Sequence, residues 1–232
     1  MYNEGDICVN CAEKLLGEMA GLSEKYGWDY EIIFCDDGST DGCGDKIRRL
    51  AADKVSVIGY EKNRGKGCAV REAVKNTTGD MVVYTDCDLA YGTAVIEKAV
   101  KELLERGADM LIGSRNMGND GYEGYSKRRK IASKIYIKVI ALFAGFRLSD
   151  SQCGFKAFKG GSARKIFSLC TIDGFSFDLE VIKIAQKLGM KLTEMPVKIV
   201  NHRESKVNII SDAIRMLRDI RRIKKRVKDL EV

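Results

Sequence analysis

A chain of 232 residues, 45% of them hydrophobic, carries enough apolar mass for one generous domain or a domain with a tail, which excludes a disordered polymer or a small disulfide-stapled module. Its 40 Lys plus Arg against 33 Asp plus Glu leave a net charge of +7, which favours anionic partners but falls short of a dedicated nucleic-acid binder. The best apolar run, 139–146, is far below the roughly 20 residues of a spanning helix, so any membrane contact is expected along the surface.

Short apolar runs alternate with helical patterns, and this alternation predicts an α/β class with a mostly parallel central sheet covered by helices. The pattern opens with a helix over 7–26, which carries Cys8 and Cys11 as a single CxxC. No second such pair exists and His202 is the only histidine, so small residues on a helix face explain the pair more simply than zinc does. The eight dispersed cysteines, with no signal peptide before them, point to reduced thiols in a cytosolic compartment.

A strand over 30–35 then runs into the acidic loop Asp36-Asp37-Gly38-Ser39-Thr40-Asp41-Gly42. After a helix near 45–53 and a strand over 55–60 comes Asn63-Arg64-Gly65-Lys66-Gly67, ahead of a helix over 66–77. Its backbone amides and two cations can meet phosphate at a helix N-terminus, although a glycine turn with solvated cations fits equally, and the GxxxxGK[ST] spacing is absent.

The strand over 81–85 ends in Asp86-Cys87-Asp88. In parallel α/β sheets ligands bind outside the carboxyl ends of strands, so both acidic loops are expected in one crevice. One or two carboxylates plus substrate phosphates are what Mg²⁺ usually takes, and Asp86 and Asp88 can supply them from one turn. The competing reading is a solvated turn or an N-cap for the helix over 93–106.

A strand over 110–114 precedes a polar stretch with glycines 118, 121 and 124, read as a surface loop. Beyond it Lys127, Lys130, Lys134 and Lys138 recur at helical spacing, with Ile135, Tyr136, Val139, Ile140 and Phe143 on another face. Such a helix can lie in a headgroup region, or pack on the domain with its lysines in water. Strands over 154–158 and 191–199 flank a helix over 177–187, and Pro196 marks the last strand as an edge or irregular one. After Asn208 apolar residues recur every three or four positions, and 215–228 holds eight basic residues and one acid. This basic amphipathic helix is set off as 208–232, after a domain over 1–207, and serves as a surface anchor, a partner-binding helix or a solvated face.

Tyr2-Asn3-Glu4, Asp36-Asp37-Gly38-Ser39, Asn63 to Gly67, Asp86-Cys87-Asp88, Gly113-Ser114-Arg115, Gln152-Cys153-Gly154-Phe155-Lys156 and Ser205-Lys206 follow one another in the order seen in glycosyltransferase family 2. More narrowly the chain resembles the dolichyl-phosphate glucosyl- and mannosyltransferases and their bacterial polyprenyl-phosphate relatives, over about residues 1–210. The resemblance implies a GT-A (Rossmann-like) fold, Mg²⁺ or Mn²⁺, and inverting transfer from a nucleoside-diphosphate sugar, UDP-glucose before GDP-mannose, to a polyprenyl or dolichyl phosphate.

By that resemblance Asn3, Glu4, Asp36 and Asp37 line the nucleoside pocket, Lys66 and Lys206 meet the diphosphate, and Asp86 and Asp88 hold the metal. Arg115, Arg129 and Ser133 take the acceptor phosphate, and Asp150 is an orienting or basic residue, or a loop acid. The chain is expected to be cytoplasmic and peripheral on the cytoplasmic face of a membrane; a nucleic-acid partner is not expected, since no aromatic interleaving or recognised motif accompanies the basic tail, and a homo-oligomer stays open. A soluble or polysaccharide acceptor, or a non-catalytic nucleotide-sugar or membrane-binding module, are the alternatives. Relatives begin with a buried strand leading into the Tyr-Asn-Glu motif, whereas Met1 immediately precedes that motif here, so neighbouring strands are expected to carry unpaired edges.

Overall fold

The computed structural model describes residues 1–5, 7–50, 52–118, 137, 140, 142–145, 148–201 and 209–231, with side chains from Met216 onward in the last stretch. Strands β1 (Ile32–Asp37) and β2 (Val55–Tyr60) pair in parallel, Ile32 opposite Val55. A second sheet runs β3 (Met81–Tyr84), β5 (Lys156–Lys159), β4 (Met110–Ser114), β6 (Leu192–Pro196) in spatial order. Within it β4 and β6 are parallel, while β5 lies antiparallel between β3 and β4. The described sheets are therefore more mixed than the alternating pattern suggests, because the segment before β5 returns from the carboxyl end of β4 and re-enters the sheet from that side. Pro196 closes β6 at the sheet edge, as its missing amide requires.

The alternation of side chains divides the core into two faces of this sheet. Val82, Tyr84, Met110, Ile112 and Phe158 face α3 (Lys66–Lys75), α5 (Gly160–Leu169), α6 (Phe177–Lys187) and α7 (Ile209–Lys228). Met81, Val83, Leu111 and Ala157 face α1 (Ile7–Tyr26) and α4 (Val95–Glu105). A third cluster joins Cys8 and Ala12 of α1 to Phe34 of β1 and to Cys43 and Ile47 of α2 (Cys43–Arg48). All five residues of β4 are buried, which makes it the centre of the fold. Each large apolar side chain sealed there contributes roughly 1.5–3 kcal/mol.

Met1 is part of this framework. Its ammonium donates to the Cys35 carbonyl at 2.7 Å and its carbonyl accepts the Asp37 amide at 2.9 Å, a parallel-type step on the edge of β1 that β2 does not use. Met1 thus pairs with the carboxyl end of β1.

Two helices sharpen the expected amphipathic picture. Ile137, Ile140 and Ala144 are buried, which agrees at Ile140 with the reading that packs this helix on the domain, whereas Leu142 and Phe143 are exposed. In α7, Met216, Ile220, Ile223 and Val227 pack into the main core. From Met216 onward the apolar stripe of this helix packs into the domain, and the exposed positions there are mostly basic. The helix over 160–169 has no counterpart in the sequence reading, because Gly160 and Gly161 open it.

Candidate active site

The loop at the carboxyl end of β1 and the segment after Met1 are laced together by short polar side chains. Asn3, at φ 52, donates its amide to Ser39 Oγ at 3.0 Å and accepts the Thr40 amide on Oδ1 at 2.9 Å. Asn tolerates this left-handed backbone better than most residues. The Gly5 amide donates to Asp41 Oδ2, and the Glu4 carbonyl accepts the Ile7 amide at the start of α1.

Asp36 and Asp37 lie on β1 itself rather than in the loop beyond it. Asp36 Oδ1 accepts the Ser39 amide at 2.9 Å. Asp37, 4% exposed, takes four donors: Tyr60 Oη, Asn63 Nδ2 and the amides of Arg64 and Gly65. Burial and then the hydrogen bond to Asp37 raise the Tyr60 phenol well above its ordinary range. The Asn63 to Gly67 segment therefore clasps a carboxylate of its own chain.

Nor are the next amides open to phosphate, because Gly67 and Cys68 both donate to the Asp173 carbonyl. A Cβ at Gly67 would collide with the Ile172 carbonyl, so glycine permits this close approach. The expected phosphate cradle at this helix N-terminus is thus corrected: the protein's own oxygen atoms satisfy it. Lys66 is the exception, its Nζ lying 2.5 Å from Asp86 Oδ1. Burial alone would lower the Lys66 ammonium, but Asp86 and then Asp178 outweigh it and hold it above its usual range.

The Asp86-Cys87-Asp88 turn is not a helix cap, since α4 begins at Val95 with no side-chain cap. Asp88 Oδ1 instead accepts the Ala90 amide at 3.0 Å, and Leu89 is held at φ 47 while 2% exposed. A buried leucine in that region costs roughly 1–3 kcal/mol and persists because its surroundings over-determine it. Those surroundings are the Leu89 amide on the Asp86 carbonyl, Asn201 Nδ2 on the Leu89 carbonyl, and the Val200 amide on the Ala90 carbonyl. From behind, Cys11 Sγ of α1 donates to the Cys87 carbonyl.

Opposite lies Gly154, where any Cβ would overlap Asp86 Oδ2. The 152–156 block is glycine at that point so that the Asp86 carboxylate can approach its backbone. Asp86 and Asp88 put two carboxylates on one strained turn, hard oxygen donors of the kind Mg²⁺ or Mn²⁺ takes together with substrate phosphates, while no cluster of three or more His, Cys, Asp or Glu occurs among the described residues.

At the carboxyl end of β4, Arg115 and Asp150 form a bidentate pair, Nε to Oδ2 at 2.6 Å and Nη2 to Oδ1 at 2.9 Å. Asp150 is fully buried, and the Gln152 amide also reaches it. Burial pulls the Arg115 guanidinium down, but Asp150 outweighs it and pushes the group well above its ordinary range. Glu194 of β6 braces the same loop by accepting the Ser149 and Asp150 amides and the Ser149 hydroxyl.

A buried network that the sequence reading did not find lies beneath the site. Lys156 Nζ donates to Asp178 Oδ1 and to the Cys153 carbonyl, while Tyr84 Oη donates to the same Asp178 oxygen at 2.5 Å. Its only sequence signal is a lysine in an otherwise apolar strand. By tying β3, β5 and α6 together it fixes the backbone just before Gly154. Of the expected site residues, the structure brings together Asn3, Glu4, Asp36, Asp37, Lys66, Asp86 and Asp88, with Arg115 and Asp150 on the adjoining loop; Arg129, Ser133 and Lys206 lie outside the described residues.

The family model described as "Glycosyl transferase family 2" matches residues 1–167. The chain belongs to this family. The dolichyl-phosphate beta-glucosyltransferase of Saccharomyces cerevisiae is 30% identical over 94% of this chain and 70% of its own length. The enzyme of that name from Drosophila melanogaster is 31% identical over 94% of this chain and 71% of its own. Among solved structures, glucosyl-3-phosphoglycerate synthase from Mycobacterium tuberculosis, with Mn²⁺, UDP and phosphoglyceric acid, superposes with a TM-score of 0.69 at 19% identity, over the whole of this chain and 77% of its own. That likeness shows the fold, GT-A. The protein is a glycosyltransferase, and transfer of a glycosyl group from a nucleotide sugar is the activity these relatives support.

Proposed function

We propose that this family 2 enzyme transfers a hexose, glucose from UDP-glucose ahead of mannose from GDP-mannose, to the phosphate of a polyprenyl or dolichyl lipid, with inversion. The observation that carries this reading is likeness along nearly the whole chain to enzymes named for dolichyl phosphate. Asn3, Glu4 and Asp36 would face the nucleoside, with Asp37 shaping that wall through the 60–65 segment. Asp86 and Asp88 would hold Mg²⁺ or Mn²⁺, which when bound stabilises negative charge developing on the departing nucleoside diphosphate.

The remaining work falls to side chains of the protein. Lys66 carries a positive charge beside Asp86, and Lys206 would close over the diphosphate from the C-terminal side. Arg115, oriented by Asp150, would meet the acceptor phosphate together with Arg129 and Ser133. A phosphate ionised at neutral pH attacks without a strong base, so Asp150 serves better as the residue that aims Arg115. The reaction would take place at the cytoplasmic face of a membrane. No helix among the described residues is long and apolar enough to cross a membrane.

The test is transfer of radiolabelled sugar from UDP-glucose and from GDP-mannose to polyprenyl phosphate in detergent with Mn²⁺, with 3-phosphoglycerate as the soluble comparison acceptor. Lipid labelling from UDP-glucose is the expected result. Labelling of the soluble acceptor alone would overturn the lipid reading.

A further inference from the structure

Where the helical residues 142–144 end, the surface is apolar and cationic at once. Leu142 is 78% and Phe143 53% exposed, although their neighbours Ile140 and Ala144 are buried. Ala144 shares a depression with Lys183 of α6 and Lys224 of α7, and a Cβ at Gly145 would sit 3.8 Å from Lys183 Nζ. Beside it opens a cleft of about 290 Å³ between α6 and α7, lined by Lys183, Gln186, Lys187, Lys224, Val227 and Lys228.

The positive charge continues along the exposed face of α7 through Arg221, Arg222 and Lys225. Of the acids near it, Asp219 accepts from Ser176, while Asp229 and Glu231 follow Lys228 at the end of α7 and are outnumbered there by the lysines of both helices. Burial and then Lys224 lower the Lys183 ammonium below its usual range, as expected where cations crowd together.

We propose that this face docks the protein on an anionic lipid bilayer, Leu142 and Phe143 entering the acyl boundary while the lysines of α6 and α7 meet the headgroups. The inference deepens the membrane-surface reading above and rests on it. It differs in placing the contact on the basic face of the C-terminal helix, whose apolar residues Met216, Ile220, Ile223 and Val227 pack into the core. A bilayer fits better than a nucleic acid, because two large apolar side chains stand out beside the cations, where a phosphodiester backbone offers them nothing to bury against. Lysines near an anionic surface each strengthen partition by about fivefold.

The experiment is co-sedimentation of the whole chain with phosphatidylcholine vesicles, with and without phosphatidylglycerol and without any polyprenyl phosphate. The triple variant Lys187→Glu, Lys224→Glu, Lys228→Glu is expected to lose partition on the order of a hundredfold or more. The pair Leu142→Ser, Phe143→Ser weakens it with less dependence on salt. Both variants should keep the wild-type melting temperature and transfer to a short-chain polyprenyl phosphate in detergent. Unchanged binding by the triple variant, equal binding to neutral vesicles, or binding to a nucleic acid but not to vesicles would overturn the proposal. Lysine-dependent vesicle binding without any transfer in detergent would support this surface and count against the catalytic reading.

Discussion

β1 and β3 both run into a pair of aspartates, yet the two pairs do different things. Asp37 is sealed, its two oxygens shared among four donors of the 60–65 segment. Asp86 pairs with the single ammonium of Lys66 and lies against a glycine backbone, and its side chain is 36% exposed. The segment 63–66 touches both, so one stretch of chain fixes the first carboxylate and charges the second. A carboxylate surrounded by its own protein's donors builds a wall, whereas one left partly open on a strained turn can take a ligand.

Substitutions at the two pairs should therefore fail in opposite ways. The largest effect is expected from Asp88→Asn, which should slow sugar transfer by about a thousandfold, roughly 4 kcal/mol of barrier, while leaving the melting temperature nearly unchanged. Initial rates and a thermal melt of the same preparation check both halves of that statement. Asp37→Ala should instead cost about 3 kcal/mol of stability, since buried donors lose a charged acceptor. That corresponds to a melting temperature lower by roughly 6–12 °C. Asn63→Ala, which removes one of those donors, should cost about 1 kcal/mol in the same melt. If Asp88→Asn unfolds the protein, or Asp37→Ala melts normally, the distinction between wall and ligand is wrong.

Local pattern carried much of this fold. The bounds of β2, β4, α1 and α6 coincide with those expected from periodicity, and Pro196 announced the edge strand. What local pattern could not carry is partner choice across long sequence separations. Nothing around Asp150 says that Arg115, 35 residues earlier, will occupy it, and nothing around Tyr84 points to Asp178, 94 residues later. Ile140 shows the same limit: spacing alone could not choose between a helix lying in headgroups and one packed on the domain, and its burial favours the packed alternative at that residue. The acidic pairs were legible as chemistry, but their division of labour was not, because it depends on where the amides of Arg64 and Gly65 point.

The central claim is that Asp86 and Asp88 hold a divalent metal against the diphosphate of the sugar donor. Titration calorimetry of UDP-glucose into the wild-type chain and into Asp88→Asn, each with and without Mn²⁺, tests it most directly. The account predicts binding strengthened at least tenfold by Mn²⁺ in the wild type, a change of about 1.4 kcal/mol, and no such gain in the variant. Equal affinity with and without the metal in both proteins would contradict it.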